Sequence, residues 1–319
     1  MTKQISEKKG SRAERRHNTW VAVGQNRYMY LMYLPAFVLL LIFAYYPMYG
    51  VLLAFKDFDF SKGILFSPFA KNHGFYNFLR VFRNPSFFKA LKNTIVISAS
   101  RLVFEFPLPI ILALLLNEVR SSKYKRVVQT IYTFPHFISW VIVTGLFFSL
   151  FANEGIVNQV LVLMGQPKTR ILSDPKTFRA FLYATANWKE AGWAAIIYLA
   201  AITSISPELY EAGRIDGATR RQLCWYITLP SIKMTIIILF VMNVASLMNA
   251  GFDQIFNLFN PAVQDVADII DTLVYRTQFK QGSDFGYTTA IGLFKSIINF
   301  ILLLAANGVV HKINGRGIY

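Results

Sequence analysis

Charged side chains inside long apolar stretches are the residues of this sequence whose types and spacing could do chemistry. Arg101 and Glu105 are four residues apart, so on a helix they share one face and can pair. Lys189 and Glu190 are adjacent, whereas Lys295 is the only charge in its apolar stretch. Such side chains are costly inside a membrane, so they mark either a functional path or a contact that joins helices.

No catalytic or metal-binding motif accompanies these charges. The sequence contains no Gly-Lys pair, so it has no GxxxxGK[ST] loop to bind nucleotide phosphates. Its histidines are far apart and Cys224 is its one cysteine, which excludes a zinc cluster and an internal disulfide framework. There is also no GxSxG nucleophile motif. The sequence therefore predicts neither an enzyme nor a cofactor bound by this chain.

Composition separates a membrane protein from the other classes. The 319 residues carry 33 Lys and Arg against 17 Asp and Glu, a net charge of +16, and 54% are hydrophobic. Only 16% are charged, whereas soluble domains carry about 25%. Nucleic-acid binding would explain the positive charge but not the hydrophobicity. Insertion in a lipid bilayer explains both, because Lys and Arg collect in cytoplasmic loops.

Six windows are long enough for the roughly 20 apolar residues that a helix needs to cross a bilayer. They predict an all-α membrane protein with six transmembrane helices. The windows are about Tyr30–Phe55, Thr94–Leu116, Val127–Phe151, Phe178–Thr203, Ser231–Ala250 and Thr288–Val310.

Loop charge predicts the orientation of these spans. Basic residues concentrate in 1–29, 117–126, 204–230 and 311–319, which places both termini in the cytoplasm. The predicted domains are a basic cytoplasmic tail at 1–29, a membrane domain at 30–310 and a cytoplasmic tail at 311–319. Two outer segments differ in sign, because 251–287 is acidic and 56–93 holds seven Lys and Arg residues. The basic outer segment conflicts with the charge rule.

The cytoplasmic segment 206–232 has the pattern of a helical hairpin. Pro207 suits the first turn of a helix, and Gly217 permits the sharp turn that ends it. A second short helix is expected through Thr228, and Pro230 then opens the fifth span. Such a projecting hairpin carries bulky apolar residues and charges of both signs. This surface favours docking to a partner protein over a plain solvated loop.

The same segment resembles the EAA loop of ABC importer permeases. The resemblance rests on Glu211-Ala212-Gly213, Asp216-Gly217-Ala218 and Ile227-Thr228-Leu229-Pro230. Two residues depart from the family pattern. The family has alanine at the position of Gly213 and often proline at the position of Met234. Further stretches resemble maltose permease-like carbohydrate-uptake subunits, and most closely the lipoprotein/polysaccharide-type (LplB-like) permeases. These stretches are Tyr46–Phe58, Phe106–Glu118, Val127–Trp140, Asn187–Ala201 and Pro261–Arg276.

The resemblance implies a type I ABC importer permease fold in a bacterial cytoplasmic membrane. Its implied partners are a second permease, two ATPases that hold ATP and Mg, an outer solute-binding protein and an oligosaccharide, but no nucleic acid. The loop 206–232 would supply the coupling helices. The residues expected to contact an ATPase are Glu208, Glu211, Ala212, Gly213, Arg214, Asp216, Gly217, Ala218, Arg220, Leu229 and Pro230.

Polar and aromatic residues in the last three spans are the candidates for the sugar path, with helix joining as the alternative for each of them. Lys189 and Lys295 would also suit an acidic oligosaccharide such as a uronate, and the acidic loop 251–287 would either touch the binding protein or cap the spans. The candidates are Asn187, Trp188, Lys189, Glu190, Asn243, Asn249, Lys295 and Asn299.

Two other functions remain open from the sequence. A secondary transporter or channel without an ATPase would be expected to show repeats and intramembrane ion ligands, which the sequence lacks. A membrane-embedded glycan enzyme would need a carboxylate or metal site, and none is visible. Neither alternative gives the segment 206–232 a role.

Overall fold

A computed structural model describes residues 26–314, and the expected tails at 1–29 and 311–319 lie largely outside that range. Regular structure in the described range is helical, and an isolated bridge between Lys56 and Phe69 is its strand-like pairing. The helices are α1 (Arg27–Leu40), α2 (Gly63–Phe66), α3 (Tyr76–Arg83), α4 (Pro85–Phe104), α5 (Pro107–Glu118), α6 (Ser122–Thr133), α7 (Trp140–Phe151), α8 (Ile156–Leu163), α9 (Pro175–Thr203), α10 (Pro207–Ile215), α11 (Arg220–Leu223), α12 (Lys233–Ala245), α13 (Phe252–Leu258), α14 (Gln264–Ala267), α15 (Ile270–Phe279) and α16 (Phe285–Asn314).

Shorter turns continue or connect these helices. Helix α1 continues to Phe55, and α11 continues to Ser231. The continuing and connecting segments are a π-helical turn at Leu41–Tyr45, a helical turn at Tyr46–Met48, 3-10 turns at Tyr49–Phe55, Phe134–Phe137, Leu247–Asn249 and Pro261–Val263, a second π-helical turn at Cys224–Thr228 and a helical turn at Leu229–Ser231.

Four helical stretches within the described range are long and apolar enough to cross a membrane unaided. They are Arg27–Phe55, Pro85–Glu118, Trp140–Leu163 and Phe285–Lys312. The number becomes six if each of two bent helix pairs is counted as one span. In one, Pro175–Thr203 meets Pro207–Ile215 at 70°, and in the other, Arg220–Ser231 meets Lys233–Ala245 at 60°. The mostly helical class is confirmed, whereas six spans with both termini in the cytoplasm stay a prediction.

Prolines shift the second and third spans from their expected positions. The second begins at Pro85 rather than Thr94, because Asn84 caps that helix by accepting a hydrogen bond from the Ser86 amide. The third is interrupted around Pro135, which cannot donate a backbone hydrogen bond. A new helix, capped by Ser139, then starts at Trp140. The apolar stretch long enough to cross the membrane is therefore Trp140–Leu163, not Val127–Phe151.

Helix α9 is the central packing element. Near its start, Phe178 and Leu182 are buried with Ile255 and Leu258 of α13. Near its end, Tyr198 and Ile202 belong to a second buried cluster that includes residues of α5. A third cluster joins the first part of α16 to α3, α4 and α15. The residues of α9 between the first two clusters are thereby held in a fixed position.

A glycine allows α9 to lie directly against the end of α6. A Cβ atom added at Gly192 would overlap the carbonyl oxygen of Tyr132. We expect Gly192→Ala to lower the stability of the purified protein by about 1–3 kcal/mol, the usual cost of overpacking. In Gly292→Ala, the added Cβ would meet no atom within 4 Å, so its melting temperature should match or exceed the wild type. Equal melting temperatures for the two variants would contradict this packing.

Two ion pairs define the two ends of the helix bundle. At one end, Lys89 in the first turns of α4 pairs with Asp265. At the other end, Glu118 closes α5 and pairs with Arg220 of the hairpin at 3.6 Å. We call these the loop end and the hairpin end. The stretch Pro85–Glu118 runs from one to the other.

Ion pairs join the basic segment 56–93 to the acidic loop 251–287 at the loop end. Besides the Lys89–Asp265 pair, Arg80 contacts Asp284 at 2.6 Å. Asp268 is buried and accepts two hydrogen bonds from Arg276, at 3.0 and 2.7 Å. Two of the seven basic residues that conflict with the orientation rule, Arg80 and Lys89, are thus paired with acidic residues of the neighbouring loop.

Candidate functional site

The segment 206–232 folds as a helix–turn–helix hairpin. Helix α10 ends at Ile215, and Gly217 has a φ of +79°, a backbone conformation that side-chain-bearing residues rarely adopt. The amide of Ala218 donates to the carbonyl of Gly213 at 2.9 Å, and the amide of Gly217 donates to the carbonyl of Arg214 at 3.1 Å. These two bonds form a Schellman motif, which stops α10 and sets the direction of the next helix.

The two hairpin helices are fastened together by side chains. Thr219 and Gln222 form a reciprocal capping box at the start of α11. The hydroxyl groups of Tyr210 and Thr228 lie 2.9 Å apart. A Cβ at Gly213 would lie 2.7 Å from a methyl group of Leu223, so the departure from alanine permits close approach of the helices. The hairpin is therefore a stiff unit.

The surface of the hairpin carries charged side chains without ion pairs to the described residues and large exposed apolar side chains. Glu208, Glu211, Arg214 and Asp216 are exposed and form no ion pair with the described part of the chain. Large apolar side chains lie beside them, since Ile215, Trp225 and Tyr226 are 86%, 67% and 78% exposed. A rigid projection with such a surface is suited to a protein partner. Of the other predicted contact residues, Ala212 and Pro230 are exposed, and Ala218 and Leu229 are half-buried.

A cavity of about 350 Å³, with a mainly apolar lining that includes several polar side chains, lies between α4, α9 and α12. Four of the predicted path residues line it, namely Asn187, Glu190, Asn243 and Asn249. Four others do not, namely Trp188, Lys189, Lys295 and Asn299. Arg101 and Glu105, which the sequence suggests as a structural pair, also line the cavity, together with Ser98 and Ser246.

Several polar atoms in residues that line this cavity have no hydrogen-bond partner among residues 26–314. They are Ser98 Oγ, Arg101 Nε, Glu105 Oε1 and Asn187 Oδ1, all buried. Arg101 Nε and Glu105 Oε1 are 3.6 Å apart, too far for a good hydrogen bond but close enough to stay ion-paired. Buried polar atoms are nearly always hydrogen-bonded. Two of these four atoms, Arg101 Nε and Glu105 Oε1, are ion-paired with each other, and together the four make this cavity the candidate site for a polar ligand.

Arg101 is held in place by residues that sequence analysis does not single out. Its Nη2 donates to Gln254 Oε1. Gln254 is itself fixed, because its Nε2 donates to the Leu182 carbonyl and to Thr185 Oγ1, each at 2.8 Å. Gly251 has a φ of +78°, and a Cβ there would collide with the Arg101 guanidinium. Gly251, directly after the predicted fifth span, is the one signal in the sequence for this arrangement.

Glu190 belongs to a network that reaches the broken third span. Its Oε2 lies 2.6 Å from Nδ1 of His136. Lys189 Nζ donates to the carbonyl of His136 at 2.7 Å and contacts Glu190 Oε1 at 3.0 Å. The His136 ring stacks on Trp193, with centroids 4.5 Å apart. The network thus connects the cavity carboxylate of Glu190 to the helix break at Pro135. In the sequence, His136 is one of the histidines that lie far from one another.

The remaining path candidates make contacts between elements. Lys295 Nζ donates to both carboxylate oxygens of Asp271, at 2.6 and 2.9 Å. Asn299 accepts a hydrogen bond from the Met248 amide at 3.1 Å. Trp188 packs edge-on against Phe147, with ring centroids 5.8 Å apart. These residues join helices and loops outside the cavity.

The chain matches a family of transport proteins. Residues 105–315 match the family described as the binding-protein-dependent transport system inner membrane component. The chain belongs to this family of ABC transporter permeases. The range covers the cavity residues from Glu105 onward and the whole hairpin. The recognition made from the EAA-type loop is therefore confirmed.

Individual relatives extend the match over nearly the whole permease. The chain is 43% identical over 307 residues to the polygalacturonan/rhamnogalacturonan permease YteP of Bacillus subtilis, covering 96% of this chain and 94% of that protein. It is 41% identical to Protein LplB of the same organism, covering 94% of each. A permease chain in a crystal structure of a bacterial alginate ABC transporter superposes with a TM-score of 0.84 at 39% identity, covering 94% of this chain and 99% of that one. The likeness to a chain from a type I ABC importer therefore includes the overall fold.

Proposed function

We propose that this permease is one membrane subunit of an ATP-driven importer of oligosaccharides in a bacterial cytoplasmic membrane. The hairpin carries this proposal, because it is stiff, exposed and charged without internal ion pairs at Glu208, Glu211, Arg214 and Asp216. The cavity between α4, α9 and α12 supplies a site for sugar hydroxyl groups. The similarity to YteP and to the alginate transporter supports sugar as the substrate class.

The importer requires partner proteins whose functions this chain does not supply. Two ATPase subunits bind the hairpins and hold ATP and Mg, since the sequence has no phosphate-binding loop. A second permease encloses the sugar path, and a solute-binding protein delivers the sugar at the loop end. The alginate transporter structure was determined with a periplasmic protein that holds an alginate pentasaccharide.

Transport proceeds by alternating access. ATP binding closes the two ATPases, the docked hairpins move together, and the permease pair opens at the loop end. The Glu118–Arg220 pair connects the hairpin to the spans, and the Tyr210–Thr228 contact holds the two hairpin helices together. A stiff connection is needed because a loose loop would absorb the movement without shifting the helices.

Fragments of acidic polysaccharides are the proposed substrates. YteP is named for polygalacturonan and rhamnogalacturonan, and a related structure is described as an importer of the acidic polysaccharide alginate. The two lysines that suggest an acidic substrate from sequence are both occupied, Lys189 by Glu190 and His136, and Lys295 by Asp271. The proposal of an acidic substrate therefore rests on the relatives rather than on these lysines.

The pairing of Lys189 leads to a test. Lys189→Met leaves the His136 carbonyl without its donor and removes one of the two partners of Glu190, so we expect a loss of about 1–3 kcal/mol in stability. Uptake of acidic and neutral oligosaccharides should fall by the same factor, because the lysine holds the helices rather than the substrate. A defect confined to acidic oligosaccharides in an uptake assay would instead give Lys189 a direct role.

The main alternative is a secondary transporter or channel that works without an ATPase. It leaves the hairpin surface without a partner, which favours the importer. Co-purification separates the two functions. The tagged permease should retain an ABC ATPase, and Glu211→Lys should release it. A functional transporter that purifies without any ATPase would refute the importer.

A further inference from the structure

A second pocket, of about 390 Å³, lies at the loop end, away from the membrane cavity. Asn77 is buried at its floor and donates to the carbonyl oxygens of Ala54 and Lys56, each at 3.1 Å. The first turn of α16 lies against this floor, since a Cβ at Gly286 would come within 3.0 Å of the Asn77 side chain. The floor of the pocket is thus tightly packed.

Aromatic rings form the walls of this loop-end pocket. Phe58, Phe60 and Phe285 contact one another edge to face, with centroids 5.0–5.4 Å apart, and Tyr76 also lines the space. Phe60 is 74% exposed. The adjoining turn is ordered by the Asp59 carboxylate, whose pKa is lowered by hydrogen bonds from Ser61. Exposed aromatic faces beside polar groups suit the apolar faces of sugar rings.

The charges of the loop-end pocket favour an anion. Arg80 is paired with Asp284 at 2.6 Å. The Lys56 ammonium donates only to carbonyl oxygens in the described part of the chain, at 2.5 and 3.0 Å, so no carboxylate cancels its charge. Lys71 is exposed and has no ion-pair partner among residues 26–314, and the Asp57 carboxylate also lines the pocket. Three cations thus line the pocket against two carboxylates.

The membrane cavity has the opposite balance. Its lining contains one cation, Arg101, against Glu105 and Glu190. Arg101 is already bound to Gln254 and paired with Glu105. A sugar carboxylate entering that cavity would meet carboxylates and no uncommitted cation of this chain.

We propose that the loop-end pocket binds a carboxylate-bearing sugar unit of the oligosaccharide. Lys71 pairs with the carboxylate, and the rings of Phe60 and Tyr76 pack against the sugar. The inference rests on the proposed transport of acidic oligosaccharides and adds a recognition site separate from the membrane cavity. Because Lys71 is exposed, the ion pair is weak and sensitive to salt, which lets the sugar move onward.

Direct binding tests the inference on the permease–ATPase complex in lipid nanodiscs without the solute-binding protein. The probes are tetragalacturonate and its neutral, carboxyl-reduced counterpart. We expect Lys71→Ala to weaken tetragalacturonate binding about three- to fivefold, the size of one exposed ion pair, and to leave the neutral probe unaffected. Lys92→Ala is the matched control, because Lys92 is an exposed lysine of the same segment, outside the pocket and unpaired in the described chain.

Hydrogen exchange locates the bound sugar in the same complex. Tetragalacturonate should protect backbone amides around 56–77 and 282–287. Equal binding by Lys71→Ala and wild type, or equal losses in Lys71→Ala and Lys92→Ala, would overturn the inference. So would an effect of Lys71→Ala on docking of the solute-binding protein alone, since that outcome makes the pocket a protein contact.

A separate assay distinguishes this inference from the proposed function. ATP-dependent uptake of tetragalacturonate by the wild-type importer, with its binding protein, tests the function. Absence of uptake would refute the proposed acidic substrate and the inference with it. Uptake together with unchanged binding by Lys71→Ala would refute the pocket alone.

Discussion

Gly217→Val is expected to abolish substrate-stimulated ATP hydrolysis while the permease still reaches the membrane. Gly217 has a φ of +79°, which costs a side-chain-bearing residue about 1–2 kcal/mol, and more for a β-branched one. The valine would break the Schellman turn and change the angle between α10 and α11. The spans do not depend on this turn, so insertion and basal assembly of the membrane domain should persist.

Gly165 provides the matched control for this substitution. It has a φ of +71°, and no atom would lie within 4 Å of an added Cβ, as at Gly217. It lies in the connection between α8 and α9, away from the hairpin. Gly165→Val should therefore carry a similar local strain but normal coupling. Normal coupling in Gly217→Val, or equal loss in both variants, would contradict the role of the hairpin.

Removing the Arg101–Glu105 pair as a unit is expected to abolish sugar transport. Either single substitution would leave a buried charge without its partner and cost about 3–5 kcal/mol. The double variant Arg101→Met with Glu105→Leu avoids that penalty but removes two of the four unbonded polar groups of the cavity. We expect uptake to fall at least about 100-fold, because each lost charged hydrogen bond costs about 1.5–3 kcal/mol.

The Lys295–Asp271 pair offers a control of the same kind outside the cavity. Lys295→Met with Asp271→Leu removes a half-buried ion pair of similar size, and uptake should stay within about threefold of wild type. Binding of the ATPase should be unchanged in both double variants, since neither touches the hairpin. Normal uptake by the Arg101/Glu105 variant would exclude the cavity as the sugar path.

The hairpin is the part that the sequence predicts best, because its signals are local. Pro207, Gly217 and Pro230 each act on the backbone beside them, and the structure shows α10 starting at Pro207 and turning at Gly217. The residues that contact an ATPase stay a prediction. The helical class also follows from local composition, whereas the third span shifts because Pro135 breaks the helix inside the window Val127–Phe151.

The cavity is harder to predict because its geometry depends on distant segments. Arg101 is positioned by Gln254 and Gly251, about 150 residues further along the chain. His136 approaches Glu190 from a different helix. Lys295 of α16 pairs with Asp271 of α15, a contact that residue spacing within one helix cannot predict. For the same reason, the pairing of Arg80 and Lys89 in the basic segment 56–93 with the loop 251–287 cannot be predicted from loop charge.

Uptake by the reconstituted transporter tests the central claim most directly. Proteoliposomes would hold this permease with its partner permease and ATPases, and labelled tetragalacturonate would be added with the solute-binding protein. Accumulation should require ATP and the binding protein, and Gly217→Val should abolish it. Accumulation without ATP, driven by an ion gradient and unaffected by Gly217→Val, would contradict an importer coupled through the hairpin.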